Sequence, residues 1–117
     1  MLISQESIAA IKFEGLLIHD FTRGSSTSAS FAAIEVPTRV KHREAWSKRS
    51  DKYYYVVSGQ LSFTVNGVEH VLSRGSFLLV SRGQRFSYQN SGAESVHLIL
   101  VHTPSFDLES EVFVEEN

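Results

Sequence analysis

The sequence predicts an all-β sandwich or barrel, and three observations carry that prediction. Apolar residues fall in short runs or alternate with polar ones, and turn residues separate these runs at close, even spacing. No stretch keeps a helical period beyond a turn around Gln5 to Ile11. Many short strands of this kind pack as two sheets or close into a barrel.

Taken in order, the expected strands are Leu16–Phe21, Ser30–Val36, Arg39–Trp46, Tyr53–Ser58, Leu61–Val65, Val68–Leu72, Phe77–Val80, Arg85–Gln89 and Val96–His102, with a short one at Val112–Val114. Asn66-Gly67, between FTV and VEHV, supplies the two positive φ angles of a type I′ hairpin turn. Ser58-Gly59 and Ser91-Gly92 read as turns as well. The Ser-rich segment RGSSTSAS, residues 23 to 30, reads as a surface loop.

A length of 117 residues, 42% hydrophobic and 21% charged, suits one folded domain over residues 1–117. Its core is expected at about residues 30–103, with N-terminal strands within 1–29 and a C-terminal extension, 104–117, packing on the core or on a partner subunit. The net charge is −2, and basic residues gather only in RVKHREAWSKR, from Arg39 to Arg49. Nucleic-acid binding rests on a broad basic face, so no nucleic-acid partner is expected. The absence of cysteine excludes disulfides and thiolate metal sites. No membrane partner is expected, because the first residues lack a basic leader and Glu6 and Glu14 interrupt the apolar run, and a cytoplasmic location follows by default.

GSFLLVSRGQRFSYQN, residues 75 to 90, places Gly75, Ser81, Gly83, Phe86 and Asn90 at a distinctive spacing. It resembles the second motif of the cupins, a Gly, five residues, Pro, one residue, Gly, two residues, His, three residues and Asn. Here Ser81 stands for the Pro and Phe86 for the His. The first cupin motif ends in a Glu, six residues and a Gly, and counting back from Gly59 lands on Lys52. Its His-x-His would fall on Ala45/Ser47 or Trp46/Lys48, and His42-x-Glu44 is the nearest alternative. The resemblance, over about residues 30 to 115, implies a double-stranded β-helix or jelly-roll barrel. It also implies a homodimer built on terminal strands, for which IKF, residues 11 to 13, and VFV, residues 112 to 114, are candidates.

In that family the barrel interior usually holds a divalent metal on three His and one Glu. An ammonium at the Glu position repels such an ion by several kcal/mol in a partly buried site. The expectation is therefore no cofactor, with a divalent metal on His42, Glu44 and a late-strand His as the runner-up. If Lys52 points inward, strand alternation sends Tyr54 and Val56 inward too; Phe86 pairs with Tyr88 in the same way, and His42, Glu44 and Trp46 share one face.

The expected ligand-binding set is Trp46, Lys52, Tyr54, Phe86, Tyr88 and His102, with His42 and Glu44 as the candidate catalytic pair. His70 and His97 read as surface or hydrogen-bonded strand histidines. Lys52 reads as a rim lysine at a strand start, paired with Glu44 or Asp51 or reaching to water, or else as an anchor for an anion, a general base or a Schiff-base nucleophile. A mostly aromatic interior with a few polar groups suits a small-molecule pocket. The leading expectation is thus a metal-independent protein that binds a small polar or anionic organic molecule, a sugar derivative or carboxylate metabolite, as enzyme or as binder. The alternatives are a metal-dependent isomerase or dioxygenase and a non-catalytic module with a plugged barrel.

Overall fold

The computed structural model describes residues 1–115; residues 116 and 117, the end of the expected C-terminal extension, lie outside the described residues. The strands are β1 (Ile11–Phe13), β2 (Leu16–Asp20), β3 (Ser30–Val36), β4 (Lys41–Ser47), β5 (Asp51–Ser58), β6 (Gln60–Val65), β7 (Val68–Ser73), β8 (Phe77–Val80), β9 (Phe86–Gln89), β10 (Val96–Thr103) and β11 (Glu111–Phe113). The expected strands are present with bounds moved by a residue or two. Around Gln5 only a short 3-10 turn, Gln5–Ser7, forms.

Six strands form one sheet in the order β1-β2-β3-β10-β5-β8, and five form the other in the order β11-β4-β9-β6-β7. All neighbours are antiparallel, and β10 lies between β3 and β5 while β9 lies between β4 and β6. These crossovers between sequence-distant strands make the double-stranded β-helix, or jelly roll. Between the sheets, Val36, Val56, Leu61, Phe63, Val80, Val96 and Leu98 are fully buried. Each such side chain contributes roughly 1.5–3 kcal/mol by leaving water.

The expected turn chemistry is present where the backbone demands it. Asn66 and Gly67 adopt φ of 47° and 81°, the two left-handed values that keep β6 and β7 in register. Gly59 combines a φ of 90° with a crowded site, since a Cβ there would meet Val96 Cγ2 at 2.9 Å. Buried Asn90 donates through Nδ2 to the carbonyls of Val36 at 2.9 Å and Glu94 at 2.7 Å, and its Oδ1 accepts from the Gly92 amide at 2.9 Å. The motif asparagine therefore pins the loop after β9 to the end of β3.

Both terminal runs singled out for pairing between subunits pair inside the chain on one side, as end strands of their sheets. Lys12 lies opposite Leu17 on β2, and Val112 lies opposite Trp46 on β4. The β1–β2 turn escaped sequence reading because it uses Glu14, at φ 49°, ahead of Gly15 at 93°. Strands β1 and β11 are edges of opposite sheets, and Phe13 meets Phe113 with ring centroids 5.4 Å apart. No described helix is long and apolar enough to cross a membrane. Replacing Asn90→Ala should lower stability by about 2–4 kcal/mol in urea unfolding, because it strands buried carbonyls as well as removing bonds.

Candidate functional site

The site begins with an irregularity in β4. His42 lies opposite Tyr88 and Ala45 opposite Phe86, so Arg43 and Glu44 together face the single Ser87. This β-bulge resets the alternation of the strand. His42, Ala45 and Ser47 consequently share the interior face, whereas Trp46 is half-buried on the outside beside Val112. Glu44 is exposed and ion-paired with Arg85 at 3.3 Å. The expected common face for His42, Glu44 and Trp46 is thus corrected: period-two counting fails across a bulge.

Elsewhere the alternation holds. Lys52, Tyr54 and Val56 of β5 are buried while Tyr55 and Val57 are exposed, and Phe86 and Tyr88 of β9 are buried. His102 of β10 lies opposite Lys52 and is buried with it. His70 and His97 are exposed.

Lys52 is the hub of the polar interior. Its Nζ donates to Glu111 Oε1 at 2.5 Å and lies 2.9 Å from His102 Nε2, which accepts. It also sits over the Phe86 ring, 5.4 Å from the centroid. The Lys52 and Glu111 side chains are only 5% and 4% exposed. Glu111 Oε2 is buried with no hydrogen-bond partner among the described residues. Burial pulls the Lys52 ammonium below the usual lysine range, and the Glu111 carboxylate opposes that pull.

His42 is set up differently. Its Nδ1 donates to the Arg43 carbonyl at 2.7 Å, which fixes the tautomer and leaves a lone pair on Nε2. The rings of Phe86, Tyr88, Phe13 and Phe113 surround it, with centroids 5.0, 5.1, 5.9 and 6.0 Å away. Burial lowers its pKa to about 4, so the imidazole is neutral near pH 7. Tyr54 and Tyr88 pack against Phe63 at 4.9 and 5.1 Å, and burial pushes both phenols up, keeping them protonated. Neither tyrosine hydroxyl has a hydrogen-bond partner among the described residues.

Sequence reading missed Glu111, Phe13 and Phe113. Glu111 and Phe113 enter because β11 pairs with β4, Glu111 opposite Ser47 and Phe113 opposite Ala45, both on the interior face. The available signal was the alternation Glu111-Val112-Phe113, one carboxylate in step with one aromatic. Arg43, at the bulge, holds this roof: it lies over the Phe113 ring at 5.2 Å and ion-pairs with Glu14 of the β1–β2 turn at 3.3 Å.

A metal of the family kind does not fit this donor set. The positions that carry ligands in the resembled motifs are Ala45, Ser47, Lys52 and Phe86, and all are buried without offering a ligand set. Among the described residues, no three His, Asp or Glu side chains gather to hold an ion. The rearranged set is not assembled either, since Glu44 is outside and His102 accepts from Lys52. Two clefts, of about 460 and 310 Å³, open on the protein: one around Arg49, Asp51 and Arg82, the other along Ser62, Thr64 and Ser87, with His42 and Tyr88 in its lining.

Two antiparallel sheets in this strand order, closed over a mostly apolar interior with a few polar groups, suit the cupin class, and sequence comparison agrees. The cupin domain model matches residues 34–102, and the chain belongs to the cupin family. The tetracenomycin polyketide synthase protein TcmJ of Streptomyces glaucescens is 34% identical over 79 residues, 68% of this chain; the chain spans only 53% of that protein's length. Among solved structures, the nucleoside dehydratase Pac13 shares 23% identity over 98% of this chain and 91% of its own, with a TM-score of 0.85. Streptomyces Pac13 has also been solved with uridine as a His→Gln variant and two Tyr→Phe variants. Ectoine synthase from P. lautus shares 12% identity over 100% of this chain and 91% of its own, at a TM-score of 0.82. At these identities the structural likeness is one of fold.

Burial lowers His102 to about 3, with the Lys52 charge adding to the effect, and His42 to about 4, both from 6.5. The stability tied to keeping them neutral is complete above about pH 6.5 and is lost as pH falls toward 4 and then 3, because the unfolded chain takes up the protons first. Urea unfolding should therefore show a loss on the order of a few kcal/mol between pH 7 and 4, and His42→Gln should flatten its upper part.

Proposed function

We propose that the chain is a metal-independent cupin that binds a sugar-bearing small molecule inside the barrel and moves a proton on it with His42 as base. The observation that carries this reading is the state of His42: neutral, its tautomer fixed by the Arg43 carbonyl, and packed against the protonated phenol of Tyr88, which in turn meets Tyr54. A base and two weak acids in one half-buried cluster suit removal of a C–H proton beside a carbonyl, with a tyrosine hydroxyl protonating a departing hydroxyl. Elimination of water is the matching reaction class. The nucleoside dehydratase among the structural neighbours, solved with uridine as His and Tyr variants, supports the choice.

Calorimetric titration with uridine tests the binding half, and turnover of an aldehyde- or ketone-bearing nucleoside tests the chemistry. His42→Gln should leave affinity within about threefold and reduce turnover by roughly 10²-fold or more. Unchanged turnover in that variant would remove His42 from the base role. A second reading, a plugged barrel without a ligand, is favoured by the packing of Tyr54, Phe63, Phe86 and Tyr88, each no more than 3% exposed. It is the reading left standing if no nucleoside or sugar derivative binds.

The homodimer is also part of the proposal, and besides the terminal strands the outer face of the six-stranded sheet offers a contact for it. There Phe31, Tyr55, Val57, Phe77 and Leu79 are exposed, with Tyr55 directly opposite Phe77. A contiguous apolar face of this kind suits a subunit contact. Light scattering after size exclusion should give a dimer mass for the native chain and a monomer mass for Phe77→Lys.

A further inference from the structure

From the pairing of Lys52 with Glu111 we infer that the interior selects an uncharged, hydroxyl-bearing ligand, and that Glu111 Oε2 accepts a hydrogen bond from one of its hydroxyls. This rests on the reading of a ligand inside the barrel, and it gives Lys52 a role other than anchoring an anion. The Lys52 ammonium is already taken up: one N–H meets Glu111 Oε1 at 2.5 Å and another meets His102 Nε2 at 2.9 Å. As ammonium and carboxylate the pair carries no net charge. The other titratable interior groups, His42, His102, Tyr54 and Tyr88, are neutral as well. A carboxylate or phosphate entering here would give up its hydration and find no uncompensated cation.

The orphaned oxygen gives the positive half of the argument. Glu111 Oε2 is fully buried and unpartnered on a side chain only 4% exposed. An unmet acceptor on a buried carboxylate is costly, and an O–H donor repairs it with a charge-assisted bond. A carboxylate or phosphate group brings only acceptors and repels it. A polyol brings donors, and any further hydroxyls meet the unpartnered phenols of Tyr54 and Tyr88.

Titrations of the full chain with uridine, 2′,3′-dideoxyuridine, 5′-deoxyuridine, uridine 5′-monophosphate and orotidine test this. Both anionic analogues should bind at least about tenfold more weakly than uridine, and so should at least one deoxy analogue. Glu111→Gln keeps an acceptor for Lys52 but presents an N–H₂ in place of Oε2, so it should weaken uridine about tenfold and leave that deoxy analogue unchanged. Circular dichroism checks the fold, and Lys52→Met/Glu111→Leu, which buries no charge, should be folded and no better than Glu111→Gln for uridine. An anion that binds as well as uridine, or a Glu111→Gln variant that binds uridine normally, overturns the inference and leaves the interior site in place. Absence of binding by every probe overturns the interior site itself, and this inference with it.

Discussion

The buried Lys52–Glu111 pair is the interaction on which the rest of the site depends. Lys52 stands on β5 of the six-stranded sheet and Glu111 on β11, the edge of the other, so the contact ties the two walls of the barrel together. Desolvating two charges is expensive, and such a pair persists only when attraction and further hydrogen bonds offset the cost. His102 supplies one such bond through Nε2 and the Phe86 ring a favourable face for the cation. The pair also seats β11, a three-residue strand too short to hold its place on pairing alone. Once β11 is seated, Phe113 closes over His42 against Phe13, and the histidine is left half-buried.

The same contact accounts for the departure from the metal-binding pattern. A lysine where the resembled motif has its Glu, and a phenylalanine where it has a His, change the interior together. The cation needs a carboxylate, which arrives from the C-terminal extension, and it gains an aromatic neighbour from the lost ligand position. What remains is a neutral imidazole, two phenols and a half-satisfied carboxylate, the groups on which the proposed function rests.

Much of this was legible in the chain, and the exceptions have physical causes. Residues 75 to 90 announce the fold because glycine turns and inward alternation are local properties, visible without the rest of the molecule. Lys52, Tyr54, Phe86 and Tyr88 fall on the interior face for the same reason. Glu44 and Trp46 do not, because the bulge at Arg43 and Glu44 depends on how β4 lies against β9 and leaves no mark in its own residues. Glu111 stayed hidden because its place depends on pairing between β11 and β4, segments far apart in the chain. The surface position of His70 and His97 agrees with one of the readings their sequence allowed.

The central claim, that one buried pair organises the interior, is tested most directly by a double-mutant cycle in unfolding free energy. Lys52→Met and Glu111→Leu should each cost about 3–5 kcal/mol by leaving the partner charge buried and alone. The double variant should cost far less than their sum, because neither charge remains. Additive losses would mean that the two side chains are independent, and would contradict the account.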